Sequence, residues 1–217
     1  MDPWIVVIVA GVAALVGGMI WIGKVEEKRR TIAMAEEAAK MGFAFEPETS
    51  LDVLKTFGDL PLYDHGHQSR VRNVMTGKAC ERDVKFFDYA YIIGSGKDAH
   101  AYVQSVALFL GTHLPDFQLQ PETFLDRIAS KFGAQDIDFD ASPEFSKAYR
   151  LSGSDEMQIR SAFSAEALRF FDENRHWWVE VRGGNAAIYR SQRLCKPEEA
   201  PAWLDERLSV LRALVRD

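Results

Sequence analysis

The sequence predicts an α+β protein, in which an N-terminal transmembrane helix is followed by a domain with a curved antiparallel sheet or partly closed barrel, flanking helices and a C-terminal amphipathic helix. Three observations predict this class. Residues 4–22 carry no ionisable side chain, residues 71–110 contain three runs rich in aromatic and β-branched residues, and residues 201–215 place apolar side chains at helical spacing. The predicted segments are a transmembrane anchor over 1–23, a charged helical stalk over 24–42 and a cytoplasmic α+β domain over 43–217.

Residues 4–22 have the length and composition of a membrane span. A helix of these nineteen residues, rising ~1.5 Å per residue, is roughly 28 Å long and matches the ~30 Å hydrocarbon layer of a bilayer. Trp4 and Trp21 lie at its two ends, where an indole favours the headgroup layer. A cleaved signal peptide is the alternative, but its charged start, shorter apolar run and small-residue cleavage site are missing. We therefore predict a retained anchor that contacts the lipid bilayer through residues 4–22.

The basic residues that flank this span give its orientation. None precedes it, whereas Lys24, Lys28, Arg29 and Arg30 follow it. Because a basic flank is retained on the cytoplasmic side, we predict an external N-terminus and a cytoplasmic C-terminal domain. The charged residues up to Met41 continue as a solvent-exposed helix.

Small residues recur along one face of the predicted span. Ala10, Ala14 and Gly18 are four residues apart, and such a face allows a second helix to approach closely. Self-association through these residues is one interpretation. The other is that Ala and Gly are common in any transmembrane helix.

Charge and motif content exclude several functions. The formal net charge of −6 belongs to residues 43–217, and no cluster of Lys and Arg of the kind that binds nucleic acid stands out there. Cys80 and Cys195 have no metal-ligand spacing and are expected to stay reduced. The sequence GSGK at 94–97 lacks the remaining residues of a phosphate loop, and no serine nucleophile motif occurs. We predict no cofactor.

The β-rich part is predicted to be a three-stranded antiparallel meander. Its runs, 71–75, 84–93 and 101–110, are separated by turn sequences at 76–78 and 94–97.

Short helices and strands make up the rest of the predicted domain. Ser50 and Ser164 are suitable helix caps, and Gly183 with Gly184 forms a strong hairpin signal. Helices are predicted over 51–57, 121–132, 155–163, 165–173 and 201–215, and strands over 43–45, 114–119, 137–139, 145–151, 176–182 and 186–190.

Two parts of the domain carry a recognisable pattern. FSKAYRLSGSDE at 145–156 is followed by LRFF at 168–171, a hairpin and a closing helix, and NVMTG at 73–77 is followed by FDYAY at 87–91. This pattern resembles uncharacterised bacterial single-span membrane-anchored proteins of unknown function. The resemblance implies a bacterial source, and hence the cytoplasmic (inner) membrane as the location. It implies no activity.

Two sets of side chains are candidate metal ligands. Asp136, Asp138 and Asp140 alternate, so a strand would project all three from one face. His65 and His67 flank a glycine, and two imidazoles can bind zinc or copper. The alternatives are a solvated strand edge for the aspartates and a polar turn for the histidines.

Trp177 and Trp178 are candidate protein-binding residues. On a strand one indole faces the core and the other faces outward, and exposed Trp is frequent where partners dock. The alternative is that the C-terminal helix, with Trp203, covers the outward face.

These observations favour a non-enzymatic protein-binding or scaffold module at the cytoplasmic membrane face, because an anchored domain carries no convincing catalytic constellation. The alternative is a membrane-tethered metal-dependent hydrolase that uses the aspartates or the histidines.

Overall fold

The structure, a computed structural model, describes residues 3–122 and 136–215, except for the side chains of residues 3, 6–17 and 19–20. The helix predicted over 121–132 falls almost entirely outside the described residues.

One open antiparallel sheet of eight strands forms the centre of the molecule. The strands are β1 (Ala44–Thr49), β2 (His67–Ala79), β3 (Arg82–Ile93), β4 (His100–Phe109), β5 (Phe117–Pro121), β6 (Tyr149–Gly153), β7 (Trp178–Arg182) and β8 (Asn185–Tyr189). Their order across the sheet is β1-β2-β3-β4-β8-β7-β5-β6. The α+β class and the predicted meander β2-β3-β4 are therefore confirmed, and the sheet is open rather than a closed barrel.

Six α-helices are described around this sheet. They are α1 (Pro3–Met41), α2 (Leu51–Lys55), α3 (Pro143–Ala148), α4 (Glu156–Ala162), α5 (Ala165–Glu173) and α6 (Ala200–Leu214). The predicted caps of α2 and α5 are confirmed, since Ser50 Oγ accepts from Val53 N at 3.4 Å and Ser164 Oγ accepts from Ala167 N at 3.2 Å.

The two faces of the sheet bury different cores. The larger core lies under α1 and α3 to α6 and contains Phe86, Trp177 and Trp203. The smaller core lies on the opposite face, beneath α2 and the 3₁₀ turn Pro61–Asp64. Its aromatic side chains are Tyr63, Phe87, Tyr89, Tyr91, Tyr102, Trp178 and Tyr189.

The membrane predictions are wrong. Among the residues that the structure describes with their side chains, no helix is long and apolar enough to cross a membrane. This finding overturns the transmembrane anchor over 1–23, the single-pass topology and the location in the cytoplasmic membrane. The apolar run is the first part of α1, a single helix that continues through charged residues to Met41.

The predicted stalk packs against the sheet instead of standing in solvent. Met34 and Ala38, which lie in the charged part of α1, are completely buried in the larger core. Gly42, at φ +70°, ends the helix, as the sequence predicts.

Local turn chemistry decides where the strand predictions succeed or fail. The β7–β8 hairpin turns at Gly183 and Gly184, whose φ values of +56° and +73° suit glycine. The turn between β2 and β3 lies at Cys80 and Glu81, both at positive φ, and not at 76–78. Residues 137–139 form no strand. Pro143 begins helix α3, which takes in residues 145–148 of the predicted strand 145–151, whereas residues 149–151 belong to β6.

Candidate functional site

The three candidate aspartates do not converge. Asp136 Oδ1 accepts from Leu151 N at 3.0 Å, and burial raises the pKa of Asp136. The Asp138 carbonyl accepts from Arg160 Nη1 at 2.8 Å, and Asp140 is exposed in a turn. In the described part of the chain, no group of three or more His, Cys, Asp or Glu side chains is placed to hold a metal ion.

The two candidate histidines point to different environments. His65 is buried, with its ring centroid 5.9 Å from that of Tyr91 and 6.1 Å from that of Trp178. This burial lowers the pKa of His65 to about 4. His67 is exposed at the start of β2. A core position therefore accounts for His65.

Both candidate tryptophans are buried, each 1% exposed. Trp178 stacks on Tyr189 with centroids 5.6 Å apart in the smaller core. Trp177 lies in the larger core, and the Arg190 guanidinium carbon is 4.0 Å from its ring centroid. The structure thus exposes neither indole, and the binding role of the pair stays a prediction.

The helix face predicted for self-association is described only in part. Gly18 is exposed, whereas the side chains of Ala10 and Ala14 lie outside the described residues. Self-association stays a prediction.

A different group of residues forms an open cleft, which we call the arginine cleft. It has a volume of about 380 Å³ and is lined by Arg175, His176, Arg190, Ser191 and Arg193. Two loops supply these residues, one leading from α5 into β7 and the other leaving β8. Antiparallel pairing of β7 with β8, where Trp178 lies opposite Tyr189, brings the two loops side by side.

Both loops contain a non-glycine residue in the left-handed region. His176 has φ +74° in the first loop, and Gln192 has φ +57° in the second. Such conformations are uncommon for residues with a side chain and are frequent at functional sites. The chain therefore turns sharply at each wall of the cleft.

The cleft presents hydrogen-bond donors that lack acceptors. Arg190 Nη2 lies 3.1 Å from Glu206 Oε1, but its buried Nε has no partner among the described residues. The Ser191 hydroxyl is also buried without a partner there. Buried donors are nearly always satisfied, so these two atoms are unused hydrogen-bonding capacity in the wall of the cleft.

The remaining charges at the cleft are mainly positive. Arg175 Nη2 lies 3.7 Å from Asp172 Oδ1, whereas the exposed Arg193 guanidinium makes no ion pair with any described residue. This local excess of arginine contrasts with the formal net charge of −6 for the whole chain. It favours an anionic ligand.

A buried arginine supports the cleft from behind. Arg207, 2% exposed, lies with its guanidinium carbon 3.6 Å from the ring centroid of Trp203 and 4.8 Å from that of Trp177. It also pairs with Glu206. Burial lowers the pKa of Arg207 to about 10, so the side chain stays charged at neutral pH. The guanidinium groups of Arg207 and Arg190 are thus both within cation–π distance of the Trp177 ring.

A polar network fixes the second loop against the sheet. Asp88 accepts from Arg30 Nε at 2.8 Å and Nη2 at 2.9 Å, from Asn73 Nδ2 at 2.8 Å and from Ser105 Oγ at 2.6 Å. Ser105 Oγ in turn accepts from Cys195 N at 2.9 Å, and Arg30 Nη1 donates to the Cys195 carbonyl at 2.7 Å. The loop is therefore attached to α1, β3 and β4 at once.

The cleft offers hydrogen-bond donors to a ligand. It contains cationic and hydroxyl donors, and the Ser191 hydroxyl makes no hydrogen bond to His176 or to any other described residue. A nucleophile and its base normally lie within hydrogen-bond reach. The arrangement suits recognition of an oxyanion by arginine.

A second notable group is the buried carboxyl of Glu180, which is 0% exposed in the smaller core face. It accepts from Leu62 N and from Tyr189 Oη, both at 2.7 Å. Burial raises the pKa of Glu180 to about 7. The group is enclosed by protein and is therefore a stability element rather than a ligand site.

Fold and cleft together define an α+β protein with an open antiparallel sheet and an arginine-lined cleft. No protein-family model matches the chain, and no curated protein matches it. Among solved structures, the chain is similar to the crystal structure of the mycobacterial trehalose monomycolate transport factor A, TtfA. The TM-score is 0.55 with 14% sequence identity, over 86% of this chain and 91% of that chain. At this identity the likeness shows the fold alone, and it does not test the resemblance to uncharacterised bacterial proteins.

Proposed function

We propose that the protein is a non-enzymatic binding module whose arginine cleft takes an oxyanion carried by a segment of a partner protein. The observation that carries the proposal is the open cleft lined by Arg175, Arg190 and Arg193, in which the exposed Arg193 guanidinium makes no ion pair with any described residue. A carboxylate or a phosphate offers several acceptors on one group. It would accept hydrogen bonds from Arg193 and balance the local charge.

Two further points support a binding role. The polar network around Asp88 holds the second loop of the cleft in place. The side chains that line the cleft supply hydrogen-bond donors, and the Ser191 hydroxyl is not hydrogen-bonded to a base. The structural neighbour is named as a transport factor rather than as an enzyme, which agrees with a binding role.

Selection of peptide ligands tests the proposal. A displayed library of random twelve-residue peptides is selected on the full-length protein, and the Kd of an enriched, fluorescently labelled peptide is measured by polarisation. We expect enriched peptides to share an Asp, Glu or free C-terminal carboxylate. Because a charge-assisted hydrogen bond contributes about 1.5–3 kcal/mol, Arg193→Gln should weaken binding roughly 10-fold or more.

The matched control is Arg70→Gln, which removes the same charge from an exposed position on β2. Competition by inorganic phosphate and by acetate, with a phosphoserine version of the peptide, distinguishes phosphate from carboxylate as the source of the oxyanion. Failure to enrich acidic peptides, or equal Kd values for Arg193→Gln and Arg70→Gln, contradicts the proposal.

A further inference from the structure

Half of strand β4 lacks a neighbour on one side. Strand β3 pairs with β4 along its full length, from His100 to Phe109. Strand β8 pairs with β4 only from Val106 to Phe109, because the chain leaves the sheet after Tyr189. The N-terminal half of β4 is therefore a sheet edge.

The direction of the main-chain groups along this edge follows from one hydrogen bond. Ser105 N donates to the Arg193 carbonyl at 2.9 Å, away from β3. Because main-chain groups of alternate residues point to the same side of a strand, the amides and carbonyls of Ala101 and Val103 also point away from β3. Neither residue pairs on that side with any residue that the structure describes. Two donors and two acceptors are thus available.

A groove runs along the same edge. It has a volume of about 510 Å³ and is lined by Ile93, His100, Ala101, Tyr102 and Gln192. Ala101, whose main-chain groups point away from β3, is one of its lining residues.

The groove and the arginine cleft share one wall. The loop after β8 places Gln192 on the groove, and its neighbours Ser191 and Arg193 on the cleft. Gln192 N donates to Gln104 Oε1 at 3.3 Å, so this wall is attached to β4. A ligand in the groove therefore reaches the cleft by crossing a single loop.

We propose that an extended, acidic segment of the partner protein adds to the free edge of β4 as a strand and places its oxyanion in the arginine cleft. This inference rests on the proposed function and identifies the form of the ligand. Peptide main chain is the chemistry that supplies alternating donors and acceptors at the spacing of Ala101 and Val103. The arginines of the cleft favour a segment that carries an acidic side chain.

A second copy of this chain fits the edge less well. Two copies paired through β4 would bring their unpaired Arg193 side chains near each other, and like charges repel. Of the two terminal strands of the sheet, β1 contains Pro47, which cannot donate to a ladder, and β6 is already paired at Leu151 with Asp136 Oδ1 and Ile137 N. An acidic partner segment has the complementary charge.

Substitution of Val103 tests the strand addition. Val103→Pro removes the outward amide without removing a bond to β3, and proline is tolerated on edge strands. The control, Val103→Thr, keeps the amide at a side chain that is 37% exposed. With the selected acidic peptide, we expect Val103→Pro to raise Kd at least 10-fold and Val103→Thr to leave it within 2-fold.

An N-methyl scan of the same peptide gives a test that does not depend on the folding of a variant. If the peptide binds as a strand, methylation weakens binding at every second residue and has little effect between them. Uniform tolerance of methylation, or equal Kd values for the proline and threonine variants, overturns the inference. If Arg193→Gln weakens binding and Val103→Pro does not, the proposed function stands and strand addition is ruled out. A protein that is dimeric alone and monomeric as Val103→Pro would show a second copy to be the occupant.

Discussion

Replacing Arg30 by methionine is expected to lower the free energy of unfolding by about 3 kcal/mol, because it leaves a buried carboxylate without its cation. Both oxygens of Asp88 accept from the Arg30 guanidinium, at 2.8 and 2.9 Å. The side chains are 21% and 8% exposed, so water cannot replace the lost partner. Methionine keeps a long unbranched side chain and a similar helix propensity. Urea denaturation, followed by circular dichroism, measures the change.

The control for this substitution is its neighbour on α1. Arg29 is exposed, and Arg29→Met makes the same chemical change at the next position, where we expect an effect within ~0.5 kcal/mol. Combining Arg30→Met with Asp88→Asn should recover part of the loss, since the amide leaves no buried charge. Equal effects of Arg30→Met and Arg29→Met would show that the ion pair contributes no stability.

The same substitution connects stability to the proposed binding. Arg30 donates to the Cys195 carbonyl, and Asp88 holds Ser105, which accepts from Cys195 N. Loss of the guanidinium therefore loosens the loop that carries Arg193. Helix α1, which is distant from the cleft in sequence, therefore takes part in positioning the cleft.

The sequence is most informative where local chemistry determines structure. Glycines 183 and 184 identify a hairpin because only a few residue types accept positive φ at both turn positions. The aromatic and β-branched residues of 84–93 identify a strand. The failures at α1 and at residues 145–151 have another cause, since tertiary packing decides which side chains of an element are buried. Met34 and Ala38 become core residues only because the sheet lies beneath them.

The sequence contains the information that places the arginine cleft. Once the hairpin turn is placed at Gly183 and Gly184, the register sets Trp177 opposite Arg190 and His176 opposite Ser191. The cluster was missed because its arginines are spread along the sequence. A count of charge in a linear window does not find residues that a hairpin brings together.

One residue of the network beneath the cleft is also recognisable in the sequence. Asp88 interrupts an aromatic strand, and a carboxylate there requires a cationic or hydrogen-bonding partner. That the partner is Arg30 could not be deduced, because nothing local pairs α1 with β3. Long-range pairing of this kind depends on the assembled sheet.

The second large effect is expected from Glu180→Gln, which should remove a contribution to the free energy of unfolding that decreases as the pH rises. The pKa of this carboxyl rises from 4.5 to about 7 on folding, chiefly through burial. Between these values the folded state holds a proton that the unfolded state has released. The stabilising contribution is therefore complete below about pH 4.5 and is lost as the pH rises through about 7. The pKa difference corresponds to about 3 kcal/mol.

His65 changes the pH dependence of the free energy of unfolding in the opposite direction, so its effect must be measured apart from that of Glu180. Its pKa falls from 6.5 to about 4 on folding, so the unfolded state binds the extra proton, and stability from this group rises with pH across that interval. The two slopes largely cancel between about pH 4.5 and 6.5 in the wild type. We expect Glu180→Gln to expose the rise due to His65, and His65→Gln to expose the fall due to Glu180. The free energies of unfolding of the three proteins are compared in urea from pH 4 to pH 8. A difference between wild type and Glu180→Gln that stays constant across this range would show that the Glu180 carboxyl has an ordinary pKa in the folded protein.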